Sequence, residues 1–263
     1  MTLKVTILGC GNSAGTPAIG NHWGACDPAE PKNRRSRPCI LVQSAKTTLA
    51  VDTGPDFRDQ MNREDIKTVD SVLFTHAHCD HTAGIDDLRV LKLRFKKLIN
   101  IYSDKETMDE IRMRFDYMFA ESAPVYPQIV EPHVINPSQF GKTMAVGDID
   151  VIPFEQDHGT CKSLGFRFGN LAYSTDMVRL GEQALKALKG VEIWIADAAA
   201  YKMETNLVHL TLRQLLDLND NHVKAKKVYL THMPPSMDYR TLLKELPKGY
   251  EPAYDGLVLE AQI

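Results

Sequence analysis

Between Val72 and Gly84 the chain reads Val-Leu-Phe-Thr-His-Ala-His-Cys-Asp-His-Thr-Ala-Gly. An apolar run ends at Thr75, and four potential metal ligands follow within six positions: His76, His78, Asp80 and His81. In an extended segment residues two apart point the same way, so His76 and His78 can present two imidazoles to one ion. A helical pattern then begins, and the turn into it redirects Asp80 and His81 towards a second ion. Imidazole and carboxylate together suit zinc, manganese or iron. By chance this pattern should arise in roughly one chain in a thousand or fewer, so it constrains both fold and function.

The rest of the sequence supplies the scaffold. Short runs rich in Val, Ile and Leu recur at 3–8, 40–43, 48–51, 71–74, 149–154, 164–168, 171–173, 191–196, 228–230 and 257–260, and read as strands. Helical spacing appears at 84–97, where Ile85, Leu88, Leu91 and Phe95 share a face, and at 103–119, 177–189 and 211–219. Ser103-Asp104 and Thr211 are candidate caps. Strands with helices between them, then the same order again, predict an α/β fold with two mixed sheets and helices outside. Residues 123–137 hold four prolines and read as an irregular crossing between the halves. No repeat or compositional break marks a linker, so residues 1–263 are expected to form a single domain.

The formal net charge of -3 argues against a bulk electrostatic grip on nucleic acid or anionic membrane. No apolar run approaches the length of a membrane span. The five scattered cysteines include no CxxC pair, so a reducing cytoplasm is expected rather than a disulfide framework. Alternation along the loop predicts that Cys79 points away from the ligands, into the protein.

The His76–His81 run resembles the signature of the metallo-β-lactamase-fold hydrolases. That resemblance implies a four-layer αβ/βα sandwich with a binuclear site at one edge of the sheets. Later segments resemble the family's other motifs in order. Val51-Asp52-Thr53-Gly54 is similar to the motif whose Asp orients the metal loop. Gln156-Asp157-His158-Gly159 resembles the motif that gives a third His to the first ion. Tyr173-Ser174-Thr175-Asp176 resembles the strand end whose Asp bridges both ions, and Leu230-Thr231-His232 the one that closes the second site. The implied ligands are His76, His78, His158 and Asp176 for one divalent ion, and Asp80, His81, His232 and Asp176 for the other, with Zn or Mn as the metal. Two ions about 3.5–4 Å apart can share a water and lower its pKa, giving a hydroxide nucleophile near neutral pH.

Three further segments point to one branch. Asn206-Leu207-Val208-His209-Leu210-Thr211 resembles the extra His motif of tRNase Z and the PhnP-like phosphodiesterases. That likeness implies that His209, supported by Asp80, protonates the leaving oxygen. Leu8-Gly9-Cys10-Gly11-Asn12-Ser13-Ala14-Gly15-Thr16-Pro17 resembles the glycine loop of the same branch; its GxGxxxG spacing is not a dinucleotide fingerprint. Asn33-Arg34-Arg35-Ser36-Arg37-Pro38 is a basic segment suited to a phosphate contact or to structural ion pairs.

The PhnP-like enzymes open a ribosyl 1,2-cyclic phosphate and can carry a structural zinc. Here Asn21, Trp23, Cys26 and Pro235 stand at the corresponding places, so no structural zinc is expected. No Gly/Lys-rich insertion matches the tRNA-clamping arm of tRNase Z. The expected substrate is therefore a small ribosyl cyclic phosphate or nucleotide-like phosphodiester rather than a large nucleic acid. No membrane partner is expected, and a homodimer is compatible with the family. The same ligand set would also serve a thioester, lactone or β-lactam hydrolase, or a non-catalytic nucleotide-binding protein of this fold.

Overall fold

The computed structural model describes residues 2–120 and 127–263. Its strands are β1 (Thr2–Gly9), β2 (Cys39–Gln43), β3 (Thr48–Val51), β4 (Ser71–Leu73), β5 (Ile99–Ser103), β6 (Val130–Val134), β7 (Met144–Val146), β8 (Ile149–Asp157), β9 (Lys162–Phe168), β10 (Leu171–Ser174), β11 (Arg179–Leu180), β12 (Ile193–Asp197), β13 (Lys227–Thr231), β14 (Tyr250–Pro252) and β15 (Leu257–Gln262). The helices are α1 (Phe57–Arg63), α2 (Cys79–Thr82), α3 (Leu88–Phe95), α4 (Lys105–Arg114), α5 (Glu182–Leu188), α6 (Leu212–Leu218) and α7 (Tyr239–Glu245). Two mixed sheets result. One has the order β15-β1-β2-β3-β4-β5-β6, and the other β11-β8-β9-β10-β12-β13-β14, with β7 paired to β8.

The period of two along each strand sorts side chains between two cores. Leu3, Val5, Ile7, Ile40, Val42, Leu49, Val51 and Leu73 face the space between the sheets. Leu8, Cys39, Leu41, Ala50, Val72 and Phe74 face a second apolar layer that includes Phe57 of α1, Leu88 of α3 and Ile111 of α4. Buried on both faces, these strands need the near-continuous apolar runs seen in the sequence.

The strands at the middle of each sheet are parallel, β3-β4-β5 in one and β10-β12-β13 in the other. Their carboxyl ends therefore lie at one edge, where ligands bind in open α/β sheets. The sheets meet there: Leu164 N donates to Thr75 O at 2.8 Å, joining β9 to the residue that precedes His76.

Several local expectations need correction. Helical spacing at 177–189 yields helix only over α5, because Val178 N is taken by Asp157 O and Arg179–Leu180 pairs with β8. Phe95 is 47% exposed, since α3 ends there and Lys96 turns left-handed. Of the proline-rich crossing, residues 123–126 lie outside the described residues, but Val130–Val134 forms an edge strand. Pro132 is tolerated because an edge strand has one side without ladder bonds. Cys79 is exposed rather than inward-pointing. Strand-like alternation stops at His78, the N-cap of α2, so the helix's own geometry sets the direction of Cys79.

Candidate metal centre and its comparisons

Each strand end contributes one part of the site. The segment after β4 carries His76 to His81; β8 ends at Asp157, before His158; Asp176 follows β10; His232 follows β13. Asp52, Asp176 and His232 hold left-handed backbones, with φ of 67°, 51° and 56°. Non-glycine residues rarely adopt that region, and three in one site mark a backbone held against its local preference by its surroundings.

Two sets of ligand atoms share Asp176, and a third joins Asp197, His209 and His232. His76, His78, His158 and Asp176 form the first; Asp80, His81, Asp176 and His232 form the second; within each, all ligand atoms lie within 4.8 Å of one another. Asp176 belongs to both through different oxygens. Its Oδ2 lies 3.4 Å from His158 Nε2 and 3.7 Å from His76 Nε2. Its Oδ1 lies 3.2 Å from His232 Nε2 and 3.4 Å from His81 Nε2. Asp80 Oδ2 approaches His81 Nε2 at 3.4 Å and His232 Nε2 at 3.5 Å. The structure thus brings together the seven side chains that the resemblance named.

The residues fit divalent ions. His81 is fully buried. Its Nδ1 is engaged by Asp52 Oδ2 at 2.7 Å, so once the ring is deprotonated Nε2 carries the lone pair. That buried Nε2 has no hydrogen-bond partner, an unsatisfied group that a cation would complete. Asp52 also accepts from Thr75 N and Oγ1 at 2.8 and 2.9 Å, fixing the loop it faces, as the upstream motif implied. His158 donates from Nδ1 to Val208 O at 2.7 Å, which likewise leaves Nε2 free.

Electrostatics agree. Burial, reinforced by the neighbouring His81, pushes the His76 imidazole well below its usual range, so it is a neutral donor. Burial lowers His158 in the same way. For Asp80 and Asp176 burial acts upward, but the surrounding imidazoles prevail and hold both carboxyls well below the usual carboxylate range. His81 goes the other way: burial alone would lower it, but the Asp176, Asp52 and Asp80 carboxylates outweigh burial and push its imidazole well above the usual range, so a metal ion binding there would displace a proton.

His209 stands beside this centre. Its ring lies 4.8 Å from that of His232 and 5.2 Å from that of His158, centroid to centroid. Its partner is Asp197, whose Oδ2 accepts from Nδ1 at 2.7 Å, and not Asp80, which the sequence resemblance implied. Asp80 is turned towards His81 and His232 instead. Asp197 is fully buried at the end of β12 and was not among the sequence candidates. Burial lowers the affinity of His209 for a proton, but the Asp197 carboxylate outweighs it and pushes the pKa up to about 9.

The remaining candidates divide between backbone and packing roles. Cys10 O accepts from Met233 N at 2.9 Å, and Asn12 N donates to Met233 O at 3.2 Å. The glycine loop thus runs beside His232. A Cβ at Gly11 would meet Arg35 and Ser36 at 3.0 Å. In the basic segment Arg35 is buried and donates to Met237 O at 2.6 Å. Arg37 pairs with Asp56 at 3.0 Å, and Arg34 lies over the Trp23 ring at 5.2 Å. A cavity of about 50 Å³ touches His76 and His78. A larger one of about 650 Å³, lined by Lys186, Lys189 and Lys224 among others, contains none of the metal-centre residues.

Fold and site together define a protein of the metallo-β-lactamase fold, with side chains gathered where they could hold metal ions. Residues 47–233 match the β-lactamase superfamily domain. The crystal structure of a diphosphatase from the PhnP family superposes with a TM-score of 0.88 at 32% identity, covering 99% of this chain and 97% of that one. The chain belongs to the β-lactamase superfamily and, within it, to the PhnP family. It is also 28% identical over 258 residues to an octanoyltransferase of Porphyromonas gingivalis, covering 97% of this chain and 51% of that protein. A ribonuclease Z of Methanopyrus kandleri is 28% identical over 134 residues, covering 50% of this chain and 43% of that protein. The chain thus spans about half the length of these curated relatives. Among the described residues no helix is long and apolar enough to cross a membrane.

Proposed function

We propose that this protein, with residues 1–263 acting as one unit, is a binuclear phosphodiesterase. Its substrate would be a small ribosyl cyclic phosphate or a nucleotide-like phosphodiester, not a large nucleic acid. His76, His78 and His158 would hold one ion, Asp80, His81 and His232 the other, and Asp176 both. Bound Zn or Mn ions supply a Lewis acid for the phosphoryl oxygens and a water of lowered pKa. The chain's own residues do the rest. Asp52 and Val208 O orient His81 and His158 so that their Nε2 atoms face the site. His209, protonated at neutral pH through Asp197, would deliver a proton to the leaving oxygen.

One observation carries this reading: an imidazole, anchored by a buried carboxylate, stacks against His232 at the edge of the ligand cluster. A thiolate leaves without a proton, whereas an alkoxide expelled from phosphorus needs one. The 32% identity to a PhnP-family diphosphatase supports the same direction. A thioester or other acyl hydrolase is the second reading, favoured by the alignment of 97% of the chain with part of an octanoyltransferase.

The test is turnover of bis-p-nitrophenyl phosphate and a ribosyl 1,2-cyclic phosphate by protein stripped of metal and reloaded with Zn²⁺ or Mn²⁺, beside an octanoyl thioester. Metal-dependent cleavage of the diesters is expected. Cleavage of the thioester alone by fully loaded protein would replace the phosphodiesterase reading with the acyl one.

A further inference from the structure

His158 and His209 sit on different loops, yet their placement converges on one short turn. His158 Nδ1 donates to Val208 O at 2.7 Å, and His209 follows Val208 directly. That turn is closed by Asn206, whose Oδ1 accepts from both Val208 N, at 2.9 Å, and His209 N, at 3.0 Å. An Asn oxygen bonding backbone amides two and three positions on is a strong local fold-back. The loops also touch through backbone: Gly159 has φ of 75°, and a Cβ there would lie 2.2 Å from Leu207 O. Beyond His209 the chain is pinned again, because Thr211 caps α6 with a reciprocal pair of bonds to Gln214. Asn206 is half-buried and flanked by exposed Leu207, so it contributes little to the core.

We propose that Asn206 is a positioning residue that sets two functions at once: the aim of His158 at its metal ion and the aim of His209 at the leaving group. The second half rests on the phosphodiesterase reading above; the first half does not. Through Val208 the side chain fixes a carbonyl that selects the His158 tautomer, an outer-shell role whose loss typically weakens metal binding 10–100-fold. Through the His209 amide it fixes the backbone from which the proton donor projects.

The experiment compares wild type, Asn206→Ala and Asn206→Asp, each loaded with Zn²⁺. One readout is zinc release against increasing EDTA. The other is kcat/KM for two diesters, one releasing p-nitrophenolate and one a primary alcohol. In Asn206→Ala, zinc should leave at roughly tenfold lower EDTA or less, in line with outer-shell losses. Turnover of the alcohol-releasing diester should fall about tenfold or more beyond any loss on the nitrophenyl diester, which needs no protonated leaving group. Asn206→Asp keeps the accepting oxygen and should restore both. Unchanged zinc release, equal losses on both diesters, or failure of the Asp variant to recover would each overturn the proposal. If wild type cleaves neither diester, the phosphodiesterase reading falls, and the zinc measurement still decides whether Asn206 aims His158.

Discussion

His209 donates through Nδ1 to Asp197 Oδ2 at 2.7 Å, and this bond turns its Nε2 edge away from a fully buried carboxylate. The pair sets a first prediction. His209→Ala should lower kcat/KM for an alcohol-releasing diester by about 10²–10⁴-fold, the usual worth of general acid catalysis. Metal content should be unchanged, because His209 lies outside both ligand sets that share Asp176. Asp197→Asn should reproduce most of the loss, since a neutral amide no longer favours the imidazolium. Metal analysis alongside steady-state kinetics checks both, and a large loss of metal in His209→Ala would show that it is a ligand.

A second prediction concerns Asp52, which is fully buried and bonded to His81 Nδ1 and to Thr75. Asp52→Asn can still accept from one donor, but its NH₂ group would face His81 or Thr75 as a competing donor. Metal affinity should fall about 10–100-fold, as for other outer-shell changes. Zinc titration against a competing chelator measures it. An unchanged affinity would mean that Asp52 supports the fold alone.

Asp176 gives the third. Its two oxygens face the two ligand sets separately, so Asp176→Ala should reduce bound metal at both. In wild type, ions that bind only the folded chain add about 2.7 kcal/mol of stability at a hundredfold excess over Kd. For a chain of this size that corresponds to several degrees in Tm. Chelation should therefore lower the Tm of wild type and leave that of Asp176→Ala nearly unmoved. Calorimetry with and without EDTA, together with metal analysis, decides the matter.

The ligand cluster was legible because four donors fall within six residues and the other three end strands of apolar sequence. Asp197 was not. It sits in Ile-Ala-Asp-Ala-Ala, where nothing local distinguishes it from a turn residue, and its partner lies 12 positions away across an irregular loop. Pairing Asp80 with His209 failed for a related reason: several carboxylates converge on one sheet edge, and only coordinates say which one each imidazole meets. Among strands, β5 was missed because Ile99–Ser103 follows a helix without a turn signal, and β6 because Pro132 reads as irregular. Their place beside β4 is decided by tertiary packing, which short propensity runs do not encode.

The last prediction lies away from the metal centre. Asp238 caps α7, accepting from Thr241 N at 2.8 Å, and also accepts from Asn33 Nδ2 at 2.7 Å and Asp27 N at 3.2 Å. Burial alone would raise its carboxyl, but these donors prevail and bring its pKa from 3.8 down to about 2. A folded-state pKa below the unfolded one means that the unfolded chain takes up the proton first as pH falls. The contribution of Asp238 is therefore complete above about pH 4 to 5 and is lost progressively towards pH 2. Asp238→Ala should cost about 1 kcal/mol at neutral pH, the typical worth of an N-cap. It should also flatten the acid limb between pH 4 and 2 relative to wild type. Urea unfolding of metal-free protein across that range isolates the effect, because the metal ligands then contribute equally to both proteins. A difference between the two that stays constant from pH 7 to pH 2 would show that the cap acts through shape rather than charge.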